Sequence, residues 1–144
     1  MSSPKTIIGR VELVDLPEFG LTSLEAKVDT GADSSSLHCT NIQIHPDGTV
    51  SFFVLDSKHK NYLGLECRLP LYAKKVVKSS NGVAKERAFI RTTIRVGGQN
   101  HPIILSLTNR AKMSKPMLLG KRFLAGRFLV DVSLAHTLIK KEKK

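Results

Sequence analysis

The sequence predicts an all-β domain, and three observations carry that prediction. Segments rich in β-branched residues recur along the chain and are separated by Pro and Gly turns. One long stretch between two Gly-containing turns alternates apolar and basic residues with a period of two. Helix signals are confined to one short segment near the C-terminus. The chain has 144 residues, 41% apolar and 24% charged, which suits one globular domain around one core. We assign residues 1–139 to that domain and 140–144 (KKEKK) to a basic tail.

Thr6 to Val14 (TIIGRVELV) reads as the first strand and must stop at Leu16-Pro17. Leu24 to Val28 is a second, short strand. Asn41 to Ile44 and Thr49 to Leu55 flank His45-Pro46-Asp47-Gly48 and form a hairpin, because proline presets φ and glycine permits a positive φ. Leu63 to Val77 has strand character on both sides of Pro70. Turns follow at Asn81-Gly82 and Gly97-Gly98. Between them Ala88, Ile90, Ile94 and Val96 mark a core face, while Lys85, Arg87, Arg91 and Arg95 line up on the other. That basic row is either a solvated outer face or a wall beside a binding cleft. Thr108 to Lys115 is polar and reads as a loop. Gly120 to Gly126 (GKRFLAG) has room for one or two helical turns.

Composition narrows the function. No apolar run approaches the roughly 18 residues of a membrane-spanning helix. The N-terminus has no signal-peptide core, so a cytoplasmic protein is expected, or an exported one if a leader has been removed. Cys39 and Cys67 cannot build a disulfide scaffold and read as small buried hydrophobes. There is no HExxH, the five His and two Cys are scattered, and no phosphate-binding Gly loop occurs; no metal and no cofactor are expected. The 23 Lys+Arg against 12 Asp+Glu give a formal charge of +11, which points to an acidic partner. A basic nucleic-acid-binding β-domain is the alternative from another class. With no Trp, two Tyr and no recognised motif, it is the weaker one.

The segment Glu25 to Cys39 (EAKVDTGADSSSLHC) carries the chemistry. A strand delivers Asp29 to a turn at Gly31, so the carboxylate projects from the sheet end while backbone N–H groups can hold its oxygens. Two such carboxylates close together share a proton. One then acts as base towards a water and the other donates to a carbonyl. Only one Asp-Thr-Gly is present, and Asp131, in Leu129-Val130-Asp131, lacks the Gly that would present it. A dyad therefore needs two chains, and a homodimer is expected.

A strand leading into Asp29-Thr30-Gly31-Ala32-Asp33, followed much later by Pro116-Met117-Leu118-Leu119-Gly120, resembles the retropepsin-type aspartic proteases. The chain is most similar to the bacterial family formerly labelled ATP-dependent zinc proteases, some of whose members are encoded beside RimK-type ligases. Further carriers are Ile8 to Glu12, Val77 to Gly82, Leu107 to Arg110 and Leu129 to Asp131; residues 39–70 carry little of the likeness. The resemblance implies a closed acid-protease barrel with one short C-terminal helix, assembled as a homodimer that cleaves peptides. It implies Asp29 as the catalytic aspartate, one per subunit. Thr30 would be a buried hydroxyl tying two loops, and Gly31 a contact for the substrate backbone. Ala32 and Asp33 would support the site. The family pattern has Arg directly after the Leu-Leu-Gly, whereas here Lys121 and then Arg122 follow, so either is the partner of Asp33. A flap is expected at the turn containing Asn81 and Gly82. Lys85, Arg87, Arg91 and Arg95 become candidate contacts for an acidic or glutamate-rich substrate. A catalytically inactive dimerisation module of the same fold is the third reading, against which the intact DTGA counts.

Overall fold

Alternation sets the longest strand of the protein. In Ala84–Val96 the even positions from Ala88 to Val96 are all buried, while Arg91 and Arg95 are exposed. The computed structural model describes residues 5–78, 82–109 and 115–138. In chain order the elements are β1 (Thr6–Ile8), β2 (Val11–Leu16), β3 (Leu21–Val28), β4 (Ser35–Ile44), β5 (Thr49–Val54), β6 (Glu66–Pro70), β7 (Ala73–Lys78), β8 (Ala84–Val96), β9 (Gln99–Thr108), β10 (Met117–Leu119), the single helical turn α1 (Lys121–Leu124) and β11 (Phe128–Val130). A 3-10 turn at Pro17–Phe19 joins β2 to β3.

Six strands close a barrel in the order β10-β3-β2-β8-β9-β4, and β4 returns to pair with β10. The pairing is antiparallel except at two seams, β10 with β3 and β4 with β9. Closure removes the free edges that an open sheet would expose. Inside lie Leu16, Leu24, Ala26, Leu37, Ile90, Ile94, Leu105, Met117 and Leu119, all without solvent exposure. Each large aliphatic side chain so buried stabilises by about 1.5–3 kcal/mol before chain entropy is counted.

Strand β4 serves two sheets. Ser35 to His38 pair with β9 in the barrel, and from Cys39 onward, across a bulge between Thr40 and Gln43, the strand carries β5, which carries β6. The expected hairpin around His45 to Gly48 is the β4–β5 turn. Strand β7 pairs only with the first half of β8. The turn between them includes Asn81, which lies outside the described residues; Gly82 is described, with φ +85°.

Several expected strand boundaries change. The single strand from Thr6 to Val14 is broken at Gly9-Arg10, and the first piece leaves the barrel to pair in parallel with β11. The cause is steric: a Cβ on Gly9 would stand 2.2 Å from the Leu134 carbonyl oxygen, so only glycine lets the C-terminal segment cross here. The strand beginning at Leu24 starts instead at Leu21 and the one beginning at Asn41 starts instead at Ser35, while the helix is one turn long, within the one or two turns expected. Thr108 closes β9; most of the expected loop after it, and the tail 140–144, lie outside the described residues.

The crossing at Gly9 is locked by a buried acid. Glu12 has no solvent exposure, and its carboxylate accepts from the N–H of Gly9 (2.7 Å), the N–H of Leu138 (3.0 Å) and the Thr137 hydroxyl. Each such hydrogen bond contributes about 0.5–1.5 kcal/mol net, and each buried donor stranded by loss of its acceptor costs about 1–3 kcal/mol. Glu12→Ala is expected to lower unfolding free energy by at least about 3 kcal/mol, read as a fall in the denaturation midpoint at unchanged slope.

Candidate active site

Asp29 follows the last residue of β3, and its own backbone is pinned first. The Asp29 N–H donates to the carbonyl of Leu119 at 2.9 Å, extending the parallel β3–β10 register. Its carboxylate turns back to accept from the Gly31 N–H at 2.9 Å, and the Ala32 N–H closes the turn on the Asp29 carbonyl at 3.2 Å. Asp29 is partly exposed, and its second carboxylate oxygen has no hydrogen bond among the described residues. Thr30 and Gly31 are exposed in the single chain, so the expected burial of the Thr30 hydroxyl does not occur within one subunit.

Residues 32–35 are gripped by the start of α1. Lys121 N–H donates to the Ala32 carbonyl (2.7 Å), Arg122 N–H to the Asp33 carbonyl (3.1 Å) and Gly120 N–H to Ser35 Oγ (3.0 Å). This approach is possible because residue 120 has no side chain: a Cβ there would lie 2.5 Å from the Ser34 carbonyl oxygen and 2.9 Å from that of Ala32. Of the two candidates for pairing with Asp33, Arg122 makes the contact, Nε to Oδ2 at 2.7 Å. That hydrogen bond, with the positive charges of Arg122, Lys121 and Lys75 behind it, holds the Asp33 carboxyl below the usual aspartate range against a small desolvation effect. Lys121 is exposed and contributes its backbone N–H and its charge.

The strand–turn–helix arrangement with one presented carboxylate can now be set beside known proteins. Residues 7–141 match the family model described as RimB-like, retropepsin-like aspartic endopeptidase RimB. The chain belongs to this family. Curated proteins named probable alpha-L-glutamate ligase are similar to it. That of Desulfotalea psychrophila is 36% identical over 137 residues, 93% of this chain and 30% of its own length. That of Shewanella pealeana is 36% identical over 141 residues, 96% of this chain and 31% of its own. The RimB-like chain thus spans under a third of these relatives. A crystal structure of a Legionella pneumophila protein of unknown function shares the fold, with a TM-score of 0.74 at 29% identity, covering 94% of this chain and 99% of that one.

Beside the RimB-like aspartate loop lies a cavity of about 490 Å³ between Ser34, strands β7 to β9 and α1. Of the basic row, only Arg91 reaches it; Lys85 and Arg95 are exposed away from it, and Arg87 stands opposite Lys75 on β7. Among the described residues no three His, Cys, Asp or Glu side chains gather as metal ligands would, and no helix is long and apolar enough to cross a membrane. Cys39 is buried, which pushes its thiol well above the usual range, and Cys67 is half-buried; both are free.

Pattern reading missed the brace behind α1. His101 on β9 packs edge-on against Phe123 (5.9 Å between ring centres) and Phe128 (5.8 Å). Burial, and next the Arg127 charge, lower its pKa below the ordinary histidine value. The folded state therefore binds fewer protons than the unfolded one just below pH 6.5. Stability is expected to fall as pH drops through that region and to level off once folded His101 is also protonated. His101→Phe is expected to flatten this part of a pH series of thermal melts. Gly120→Ala is expected to destabilise by about 1–3 kcal/mol, with amide-exchange protection lost first at Ala32 to Ser35.

Proposed function

We propose that the protein is a homodimeric aspartic endopeptidase whose active site combines Asp29 from each of two subunits. The observation that carries this is the presentation of Asp29: backbone locked to β10, one carboxylate oxygen held by the Gly31 N–H, the other without a hydrogen bond among the described residues. Among the described residues no hydrogen bond or ion pair joins Asp29 to a second carboxylate, and a two-fold axis through the loop supplies one. The exposed Thr30 and Gly31 are then the surfaces available to the partner loop and to the substrate backbone.

In this mechanism one Asp29 is ionised and the other protonated, because two adjacent carboxylates resist double ionisation. The ionised one takes a proton from a water whose oxygen attacks the peptide carbonyl carbon. The protonated one gives its proton to the carbonyl oxygen. Collapse of the tetrahedral adduct breaks the C–N bond, and the departing nitrogen takes up a proton from the dyad. No covalent intermediate and no metal enter. The substrate we favour is an acidic, glutamate-rich peptide, which suits the +11 charge. The relatives' name, probable alpha-L-glutamate ligase, points the same way.

Asp29→Asn keeps the shape of the loop and removes the acid. It is expected to reduce peptide cleavage by at least about a thousandfold. Mixing wild-type and Asp29→Asn chains should poison activity in proportion to the mixed dimers formed. Undiminished cleavage by the variant, or activity from a species that light scattering shows to be a strict monomer, would overturn the dyad.

A further inference from the structure

The cavity beside the Asp29 loop has charged walls of one sign. Lys75 from β7, Arg91 from β8, and Arg122 and Arg127 from α1 and the turn after it all line it, and no aspartate or glutamate does. Arg122 is engaged by Asp33. The other three take part in none of the ion pairs among the described residues.

Two of these cations are fixed by rings instead of acids. Lys75 Nζ lies 5.2 Å from the centre of the Phe89 ring, and the Arg127 guanidinium carbon 5.2 Å from that of Phe123. Arg127 is held further by donating from Nη1 to the Phe123 carbonyl at 2.8 Å. A ring face immobilises a cation without cancelling its charge, so positive potential is retained at a defined place. Lys75 also stands opposite Arg87 in the β7–β8 register, a like-charge pairing that an isolated sheet disfavours and a bound anion relieves. Cations from three elements on one cavity, two of them held by rings and none of the three in an ion pair among the described residues, are what a carboxylate requires, and an arginine fork meets it with two parallel bonds.

We propose that this cavity is a carboxylate-binding subsite that takes an acidic side chain of the peptide cleaved at Asp29, with Arg127, Arg91 and Lys75 setting that preference. The assignment rests on the endopeptidase reading. It moves the recognition of acid away from the row Lys85 to Arg95, of which it retains only Arg91. Ser34, at the end of the Asp29 loop, lines the same cavity and links it to the site of cleavage.

The test uses full-length Asp29→Asn protein, which binds without cleaving, and two fluorescent peptides, one of six glutamates and one of six glutamines. The acidic peptide is expected to bind at least about tenfold tighter, a margin that shrinks as salt is raised. Arg127→Gln and Arg91→Gln should each erase most of that margin, and Arg127→Lys should restore part of it. Lys60→Gln, which removes the same charge from the exposed surface, should leave it intact. A margin unchanged in Arg127→Gln and Arg91→Gln, or lost equally in Lys60→Gln, overturns the subsite. Displacement of the acidic peptide by an unrelated oligonucleotide at equal strength also overturns it, in favour of a general polyanion surface. Binding is read without turnover, so absence of cleavage by the wild type would refute the peptidase while leaving this result to stand or fall alone.

Discussion

Three residues hold the architecture and the site together. Met117, Leu118 and Leu119 form β10, which lies parallel to β3 on one side and antiparallel to β4 on the other. Met117 and Leu119 point into the core with no exposure, and that alternation fixes the register, since a slip by one residue would turn both outward. The same register places the Leu119 carbonyl under the Asp29 N–H and the next residue, Gly120, against the carbonyls of Ala32 and Ser34. Barrel closure and presentation of the carboxylate are therefore one event. Neither can be relaxed without the other.

Within that event, backbone contacts outweigh side-chain charge. The Asp29 to Ser35 loop is held by hydrogen bonds to Leu119, Gly120, Lys121 and Arg122, all made by main-chain groups of the β10–α1 segment. The Arg122–Asp33 pair is short but sits in water, its side chains 76% and 60% exposed, where solvent screening removes most of its worth. This explains why Lys can stand directly after the Leu-Leu-Gly. The main-chain N–H of residue 121 does the holding, whatever side chain it carries, and the guanidinium arrives one residue later.

Legibility followed from how much of each element's pattern its own residues contain. The 13 residues of β8 hold several periods of alternation and could be read directly, as could Asp29-Thr30-Gly31 with its preceding strand. Strands β1, β10 and β11 have three residues each, less than two periods, and exist because of their partners. Glu12 was opaque for a related reason. In Val11-Glu12-Leu13-Val14 the apolar residues fall on both faces, and nothing local shows that Leu138 and Thr137 will bring donors to the acid. The basic row was legible as a row, but its members do not line one cavity together. A strand rises about 3.3 Å per residue, so Lys85 and Arg95 are too far apart to serve one cavity. The cations that join Arg91 there come from β7 and the turn after α1, remote in sequence.

The dual membership of β4 has a consequence for how such a domain can change. Ring pairing uses only Ser35 to His38 of that strand; from Cys39 it pairs with β5 instead, and a bulge follows between Thr40 and Gln43, where Asn41 takes a left-handed conformation. Beyond it β5 and β6 form a side sheet, and its Val50 and Phe52 seal the core without bearing any barrel pairing. Such an annex can be lengthened, trimmed or exchanged between lineages while the ring, and the aspartate it presents, stay as they are. Residues 39–70, which carry least of the family likeness, lie outside the ring's own strand pairing.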